Sequence, residues 1–267
     1  FGSSVCVHVP LAVLFSGNVP VFTDVSESDW CIGYEEVVAL KQRPDAVIFV
    51  HSYGNAGNVK AVHSLIKSEK TPIIEDCALV QGAKGVTRSV CKSSDLAIVS
   101  FGDGKVVDVG HGGALLTNDN SLAKEIRILE KKLGNQSSYS KQAVNRLNRF
   151  HTMIYNEKYL NGEIECARAF EEKALNTKSD MICRYDNSFS GQILESLSKI
   201  DKTVELRIEN HRVLSEKIKP YCSEHLYLPT HPNGSVPWRF SFFIDERNHF
   251  LNKLLLENWK ISSWHPP

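Results

Sequence analysis

The chain has 267 residues, enough for one large or two ordinary domains with a substantial core. Its 31 basic residues balance its 31 acidic residues, so no overall field favours nucleic acid or an anionic membrane as a partner. No apolar run could span a bilayer and no secretory signal is visible, and the seven scattered cysteines form no C-x-x-C pair, so we expect reduced thiols in a cytoplasmic protein. The ten histidines lack the spacing of metal ligands, and we predict no metal site.

Strand and helix patterns alternate through the first half of the chain. The predicted strands are at 46–51, 72–76 and 96–101, with short apolar or β-rich runs at 20–25 and 114–116. The predicted helices are at 35–42, 58–67 and about 120–133. Because the strands are continuously apolar and alternate with helices, the pattern predicts an α/β fold with a mainly parallel sheet that is covered on both faces.

The second half of the chain is predominantly helical. Helices are predicted around 139–159 and 164–175, and apolar residues at helical spacing predict one long helix over 188–219. A strand at 238–244 and a helix at 247–258 then suggest part of a smaller α+β domain. We therefore predict a large domain over 1–186, a connecting long helix over 187–219 and the start of a small C-terminal domain over 220–267.

Two of the predicted strands end in side chains that can do chemistry. Asp76 closes the strand at 72–76, and Lys105 follows the strand at 96–101 within a segment rich in glycine. The carboxyl ends of parallel strands are where open α/β sheets bind ligands, so an amine and a carboxylate placed there predict a site. The alternative is an ordinary hairpin, in which Asp103 and Gly104 form a two-residue turn and Lys105 is solvated.

With these two residues in place, the sequence resembles the DegT/StrS-type sugar aminotransferases, which use pyridoxal 5'-phosphate and have the aspartate-aminotransferase fold (fold type I). The resemblance rests on five pieces in the family's order: GNVPVFTDV (17–25), VIFVHSYGNAGNVKAV (47–62), IIEDCALVQGA (73–83), SFGDGKVVDVGHGGALLTND (100–119) and a helix ending near Arg207. It implies a cytoplasmic homodimer. Phe1 aligns inside the family's fold, so the family's opening helix and phosphate loop, and the last part of its small domain, have no counterpart in this sequence. Two interpretations are open: the sequence is an excerpt, or the protein is a trimmed relative.

The resemblance also implies roles for particular residues. Lys105 is similar to the lysine that binds the cofactor aldehyde as a Schiff base and later moves a proton between carbon atoms. Asp76 is similar to the carboxylate that keeps the pyridine nitrogen protonated, and Ser100 to the serine whose hydroxyl contacts the cofactor phosphate. Lys105 and Asp76 are thus the expected catalytic residues, and all three are expected to bind the cofactor.

Further candidates match the family less closely. His51 matches the histidine of a V-H-x-x-G turn that borders the family's site, and a structural histidine that caps this turn is the alternative. The family's ligand of the phenolic oxygen aligns with Leu79, and Gln81 lies nearby but out of register. The ring-stacking aromatic aligns near Cys6, with His8 close by. We count His51, Gln81 and His8 as candidate cofactor-binding residues.

Three functions are compatible with these residues. The first is an aminotransferase that moves an amino group from an amino acid, expected to be glutamate, to a keto group on a nucleotide-linked sugar, a reaction that serves polysaccharide biosynthesis in this family. The second is a sugar dehydratase that depends on the same cofactor. Relatives of that type carry histidine in place of the lysine, so Lys105 disfavours it. The third is a non-catalytic scaffold or binding protein of the same fold, which Leu79 and Cys6 favour.

Overall fold

A computed structural model of the chain describes residues 1–66, 70–83, 94–135, 137–153 and 164–259. Its helices are α1 (His8–Phe15), α2 (Tyr34–Val38), α3 (Val59–Ile66), α4 (Asn120–Lys131), α5 (Ser138–Met153), α6 (Ile164–Asn176), α7 (Lys178–Met181), α8 (Ser190–Ser198), α9 (Ile200–Ile218) and α10 (Arg247–Leu256). Its strands are β1 (Val47–Val50), β2 (Ile73–Asp76), β3 (Leu96–Ser100), β4 (Gly113–Leu116), β5 (Leu226–Tyr227) and β6 (Phe243–Ile244). Position 67 of the predicted helix at 58–67, positions 154–159 of the helix predicted at 139–159, and positions 260–267 of the predicted small domain lie outside the described residues.

The chain divides into two compact units. The first, which we call the sheet unit, comprises Phe1–Val5, Val21–Glu125 and Asn187–Ile244. The second, which we call the helical unit, comprises Cys6–Pro20, Ile126–Asp186 and Asp245–Pro267. The three-part domain division drawn from the sequence stays a prediction.

The sheet unit contains a four-stranded sheet in the order β1-β2-β3-β4. The pairs β1–β2 and β2–β3 are parallel, and β4 runs antiparallel to β3. The predicted α/β fold with a mainly parallel sheet is therefore confirmed. In the parallel register Val50 lies opposite Asp76, and Asp76 lies opposite Ile98, so the carboxyl ends of these strands share one edge of the sheet.

Alternating side chains of the strands form the core of the sheet unit. Val47 and Phe49 of β1 and Ile73 of β2 are almost completely buried and pack with the apolar face of α3, formed by Val59, Val62 and Ile66. A strand places every second side chain on one face, and a helix places every third or fourth residue on one stripe, so the two patterns meet as a single core. This core fixes the strands whose ends carry the candidate site.

The hairpin interpretation of the glycine-rich segment was partly right. Strands β3 and β4 do pair antiparallel, but they are joined by loop 101–112 and not by a two-residue turn at Asp103 and Gly104. Asp108 stabilises this longer connection. Its carboxylate accepts hydrogen bonds from the backbone N–H groups of Gly104 (2.7 Å) and Gly110 (2.9 Å) within the loop.

The prediction of one long helix over 188–219 was wrong, because this segment contains two helices, α8 and α9, with a break at Lys199. The Ser198 hydroxyl donates a hydrogen bond to the carbonyl of Glu195 (2.7 Å), and Lys199 leaves helical geometry with φ −106° and ψ 6°. A serine side chain that bonds to the preceding turn offers the backbone an alternative to the regular helical ladder.

The predicted strands at 238–244 and 20–25 were also wrong in extent. Only β6, at Phe243–Ile244, is extended in the first. Trp238 instead donates its backbone N–H to the Tyr53 carbonyl (3.0 Å), so this part of the chain is tied to the turn after β1. Residues 20–25 contain a single bridge, between Thr23 and Gly2.

The helical unit has a core of its own. It is built from Leu11, Phe15, Leu147, Phe170 and Ala174 of helices α1, α5 and α6. Among the residues that the structure describes, no helix has the length and apolar character needed to cross a membrane.

Candidate active site

Asp76 ends β2 at the carboxyl edge of the sheet. Its carboxylate accepts a hydrogen bond from the backbone N–H of Ala78 (2.9 Å), which turns the chain away from the strand. Burial raises the pKa of Asp76, and the positive charge of Lys105 acts in the opposite direction. A carboxyl group that has lost its water and is only partly compensated is a natural partner for a cationic ligand atom.

Lys105 lies in loop 101–112, which we call the lysine loop, just past the neighbouring strand β3. The loop is anchored by its next two residues, because Val106 and Val107 are buried and Val106 packs with Val204 of α9 and with Val236. Gly104, directly before Lys105, has φ +75°, a conformation that costs a residue with a side chain about 1–2 kcal/mol. Gly104 therefore permits the turn before the lysine, and the buried valines hold the backbone after it.

The structure places Lys105 and Asp76 at the same edge of the sheet. Both follow neighbouring parallel strands whose carboxyl ends share that edge, and the Lys105 charge opposes the rise of the Asp76 pKa that burial causes. The face of the Trp238 indole ring also contacts the lysine, with Nζ 5.3 Å from the ring centroid. Lys105 is thus linked by charge to a buried carboxyl group and by contact to an aromatic ring.

Ser100 and Gln81 link β3 to the lysine loop. The Ser100 hydroxyl accepts a weak hydrogen bond from the Gly102 N–H (3.3 Å), which leaves its own proton available to an acceptor. The buried Gln81 amide donates to the Ser100 carbonyl (2.8 Å) and accepts from the Val107 N–H (3.0 Å). Gln81 thus holds the strand end and the loop together through both ends of its amide.

His51 follows β1 and is almost completely buried, with 1% of its surface exposed. Its Nδ1 accepts a hydrogen bond from the Gly57 N–H (3.1 Å), so the ring proton resides on Nε2, which donates to the Glu75 carboxylate (2.9 Å). Glu75 also accepts a hydrogen bond from the Ser94 hydroxyl (2.7 Å). Both ring nitrogens of His51 are engaged, as expected for the alternative interpretation of a histidine that caps the turn.

The same network explains a cluster of possible metal ligands. His51, Glu75 and Cys77 place ligand atoms within 4.8 Å of one another, and all three residues are buried. A metal would need a lone pair on Nε2, which carries the ring proton as long as Gly57 donates to Nδ1. We therefore interpret this cluster as a hydrogen-bonded network within the core.

His8 lies in the helical unit, apart from the unit that holds the other candidates. It is the first residue of α1, and its Nδ1 lies 3.2 Å from the sulfur of Cys6. Its role in binding a cofactor stays a prediction.

Two further residues of the site, Arg207 and Trp238, were missed as site residues by the sequence analysis. Arg207 of α9 donates hydrogen bonds to the carbonyls of Gly104 (2.9 Å), Lys105 (3.0 Å) and Trp238 (2.9 Å). Trp238 donates its indole N–H to the Gly104 carbonyl (3.2 Å). Arg207 and Trp238 are 31 positions apart, and the contacts to Gly104 and Lys105 join residues 102–134 positions apart, so no local spacing reveals them. The available signal was the end of the matching helix at Arg207.

Comparison with known proteins gives this geometry a context. The sequence model of the DegT/DnrJ/EryC1/StrS aminotransferase family matches residues 8–262. A dTDP-3-amino-3,4,6-trideoxy-alpha-D-glucose transaminase of Micromonospora megalomicea subsp. nigra is 34% identical over 129 residues, which are 48% of this chain and 34% of that protein. A GDP-perosamine synthase of Escherichia coli O157:H7 is 30% identical over 112 residues, 42% of this chain and 31% of that protein.

The fold is also found among solved structures. The crystal structure of S. venezuelae DesV in complex with a ketimine intermediate matches with a TM-score of 0.68 at 19% identity, over 100% of this chain and 63% of that one. At this identity the likeness establishes the fold alone. The chain thus spans less than two thirds of the solved protein, and its matched segments span about a third of each curated relative.

Proposed function

Because this chain belongs to the DegT/DnrJ/EryC1/StrS aminotransferase family, we propose that it is part of an aminotransferase dependent on pyridoxal 5'-phosphate. The aminotransferases of this family depend on that cofactor. The observation that carries the proposal is the placement of Asp76 and Lys105 after two neighbouring parallel strands, where the Lys105 charge acts on the buried Asp76 carboxyl group.

The residues of this edge fit the cofactor. Asp76 lacks a full complement of compensating charge, and a protonated ring nitrogen would supply it. The Ser100 hydroxyl retains a proton that it can donate to a phosphate oxygen. Lys105 supplies the primary amine that such a cofactor requires. These three residues would therefore hold the ring nitrogen, the phosphate and the aldehyde carbon, respectively.

When bound, the cofactor would supply an electron sink for a carbanion formed beside an amino group. The protein's part is acid–base chemistry and orientation. Lys105, once free, can take a proton from one carbon atom and return it to another, because its amine lies on a flexible four-carbon stem. Asp76 as a carboxylate keeps a facing nitrogen protonated, and the low hydration of its site strengthens that interaction.

We propose a nucleotide-linked keto sugar as the amino acceptor and an amino acid, glutamate, as the donor. The acceptor class is supported by the names of the two curated relatives, one a transaminase for a dTDP-linked sugar and the other a synthase for a GDP-linked amino sugar. The balanced net charge of the chain fits small-molecule substrates and gives no reason to expect nucleic acid. We further propose a cytoplasmic homodimer that serves polysaccharide biosynthesis.

The test uses the protein expressed from its complete coding sequence. The parent should show visible absorbance with the cofactor, and borohydride should fix the label on the peptide that contains Lys105. Lys105→Ala should lose this label, and Lys105→Arg should not restore it, because a guanidinium stays protonated near neutral pH.

Asp76→Asn is the matched comparison. It should keep the label but transfer amino groups about 10²–10³-fold more slowly, the range for the loss of one preorganised electrostatic group. Label retained in Lys105→Ala would refute the assignment of the lysine. If the parent protein takes up no label at all, the proposed enzyme activity is refuted, and a binding or scaffold protein of the same fold becomes the better interpretation.

A further inference from the structure

Arg207 joins α9 to the lysine loop by hydrogen bonds. Its guanidinium donates to the carbonyl of Gly104 at 2.9 Å and to that of Lys105 at 3.0 Å, both through the same terminal nitrogen. The other terminal nitrogen donates to the Trp238 carbonyl at 2.9 Å. We infer that Arg207 is a positioning residue that fixes the backbone of Lys105 for covalent attachment of the cofactor, an inference that rests on the function proposed above.

The chemistry of the guanidinium suits this task. It is planar and carries several N–H donors in a fixed arrangement, and a charged donor makes a stronger hydrogen bond to a carbonyl than a neutral one. Arg207 is partly buried, and burial lowers its pKa while Asp108 raises it, but a guanidinium remains protonated at any physiological pH. The three carbonyls are therefore held by a permanent charge and not by a titrating group.

The residue before the lysine is held on both sides. The Gly104 N–H donates to the Asp108 carboxylate (2.7 Å), and the Gly104 carbonyl accepts from Arg207 and from the Trp238 indole N–H (3.2 Å). Since Gly104 also occupies the left-handed conformation at φ +75°, it could relax to other backbone conformations if these bonds were lost. The donors from Arg207 and Trp238 thus select one conformation of a flexible residue.

Buried apolar contacts hold the other side of the lysine. Val106 packs with Val204 of α9 and with Val236, so the helix that carries Arg207 also carries an apolar contact to the same loop. Val204 and Arg207 are three residues apart and lie on one face of the helix. Removal of the guanidinium alone should therefore leave the loop docked through Val106 while the carbonyls of Gly104 and Lys105 lose their shared donor.

The expected consequence is a change in rate more than in affinity. An amine whose backbone can reorient reaches the attacking geometry less often, and a displacement of about 1 Å can slow a reaction about 100-fold. Arg207 contacts the lysine backbone and none of the three groups proposed to hold the cofactor. Loss of Arg207 should thus slow covalent attachment and leave reversible binding of the cofactor nearly unchanged.

The test compares Arg207→Met with Arg212→Met in the protein expressed from its complete coding sequence. Arg212 lies on the same helix, is exposed, and pairs with Glu209 (2.7 Å) and Glu216 (2.5 Å) away from the loop. Borohydride is added at successive times to trap the cofactor that is attached to the lysine. The rate constant of attachment is then obtained at several concentrations of pyridoxal 5'-phosphate. We expect the saturating rate constant to fall about 10- to 100-fold in Arg207→Met and to stay unchanged in Arg212→Met, with similar half-saturating concentrations.

A purely structural role would give a different pattern, namely a smaller labelled fraction at an unchanged rate constant. Hydrogen exchange of the amides in loop 101–112 provides a readout without cofactor. It should be faster in Arg207→Met than in the parent, and unchanged in Arg212→Met. If Arg207→Met fails to fold, Arg207→Lys takes its place, because a single ammonium cannot bridge the three carbonyls and should also slow attachment. Equal rate constants in the Arg207 and Arg212 variants would overturn the positioning role and leave the proposed function standing. A parent protein without label would overturn the proposed function, and the positioning role with it.

Discussion

His51 offers a sharp test of whether the edge of the sheet depends on the buried His51–Glu75 network. In His51→Leu the Gly57 N–H loses its acceptor and the Glu75 carboxylate loses the donor that lies 2.9 Å away. The side chains of His51 and Glu75 are almost completely buried, with 1% of each exposed. Each buried polar group left without its partner costs about 1–3 kcal/mol, so the two groups together carry a large part of the 5–15 kcal/mol that stabilises a typical domain.

The measurement is the free energy of unfolding from urea denaturation followed by circular dichroism. The double variant His51→Leu/Glu75→Leu should recover most of the loss and lie within about 2 kcal/mol of the parent, because it leaves no uncompensated carboxylate. His63→Leu, on the partly exposed side of α3, is the control and should cost less than about 1 kcal/mol. A loss below about 1 kcal/mol in His51→Leu, or a double variant as unstable as the sum of its parts, would refute this reasoning. The cofactor-binding role of His51 stays a prediction, and a stable His51→Leu protein that no longer takes up cofactor would support it.

Two further predictions concern Gly54 and His231. Gly54 and Gly17 both have positive φ, at +89° and +78°, but a Cβ atom on Gly54 would lie 1.9 Å from the Val236 carbonyl oxygen, whereas on Gly17 it would meet nothing within 4 Å. In urea denaturation Gly17→Ala should therefore cost about 1 kcal/mol and Gly54→Ala at least about 3 kcal/mol, and equal losses would contradict the close approach. Burial and the nearby His211 lower the pKa of His231 to about 4, below the value near 6.5 of an unfolded histidine. The unfolded chain then binds the extra proton, so the free energy of unfolding should fall as the pH drops from about 6.5 to about 4, and His231→Gln should remove up to one proton from that dependence; parallel curves for parent and variant would exclude this contribution.

The strands of the site could be predicted from the sequence because their signal is local. Residues 96–101 are apolar except for Ser100, and β3 ends at Ser100, one residue short of the prediction. Asp76 was likewise expected at the end of its strand, and it ends β2. A parallel strand covered on both faces carries mostly apolar side chains, so the end of the apolar pattern lies near the edge of the sheet.

The functions of individual polar side chains were harder to predict, because they depend on partners that the pattern does not identify. His51 was located correctly, but its hydrogen bond to Glu75 depends on the register between β1 and β2. The break at Lys199 was missed because apolar spacing continues across it, while the Ser198 hydroxyl that competes for the helix carbonyl produces no periodic signal.

The attachment of the lysine loop to Arg207 and Trp238 has a consequence for how the molecule folds. The hydrogen bonds to Gly104 and Lys105 close segments of 102 to 134 residues. Closure of a flexible loop of this length costs about 4 kcal/mol beyond a constant term, whereas one hydrogen bond contributes about 1 kcal/mol. These contacts therefore cannot nucleate folding and form only after the parallel sheet and α9 have brought their ends together. During synthesis the lysine loop lacks these hydrogen bonds until Arg207 and then Trp238 have left the ribosome, so the geometry of its amine arises at a late, high-contact-order stage of folding.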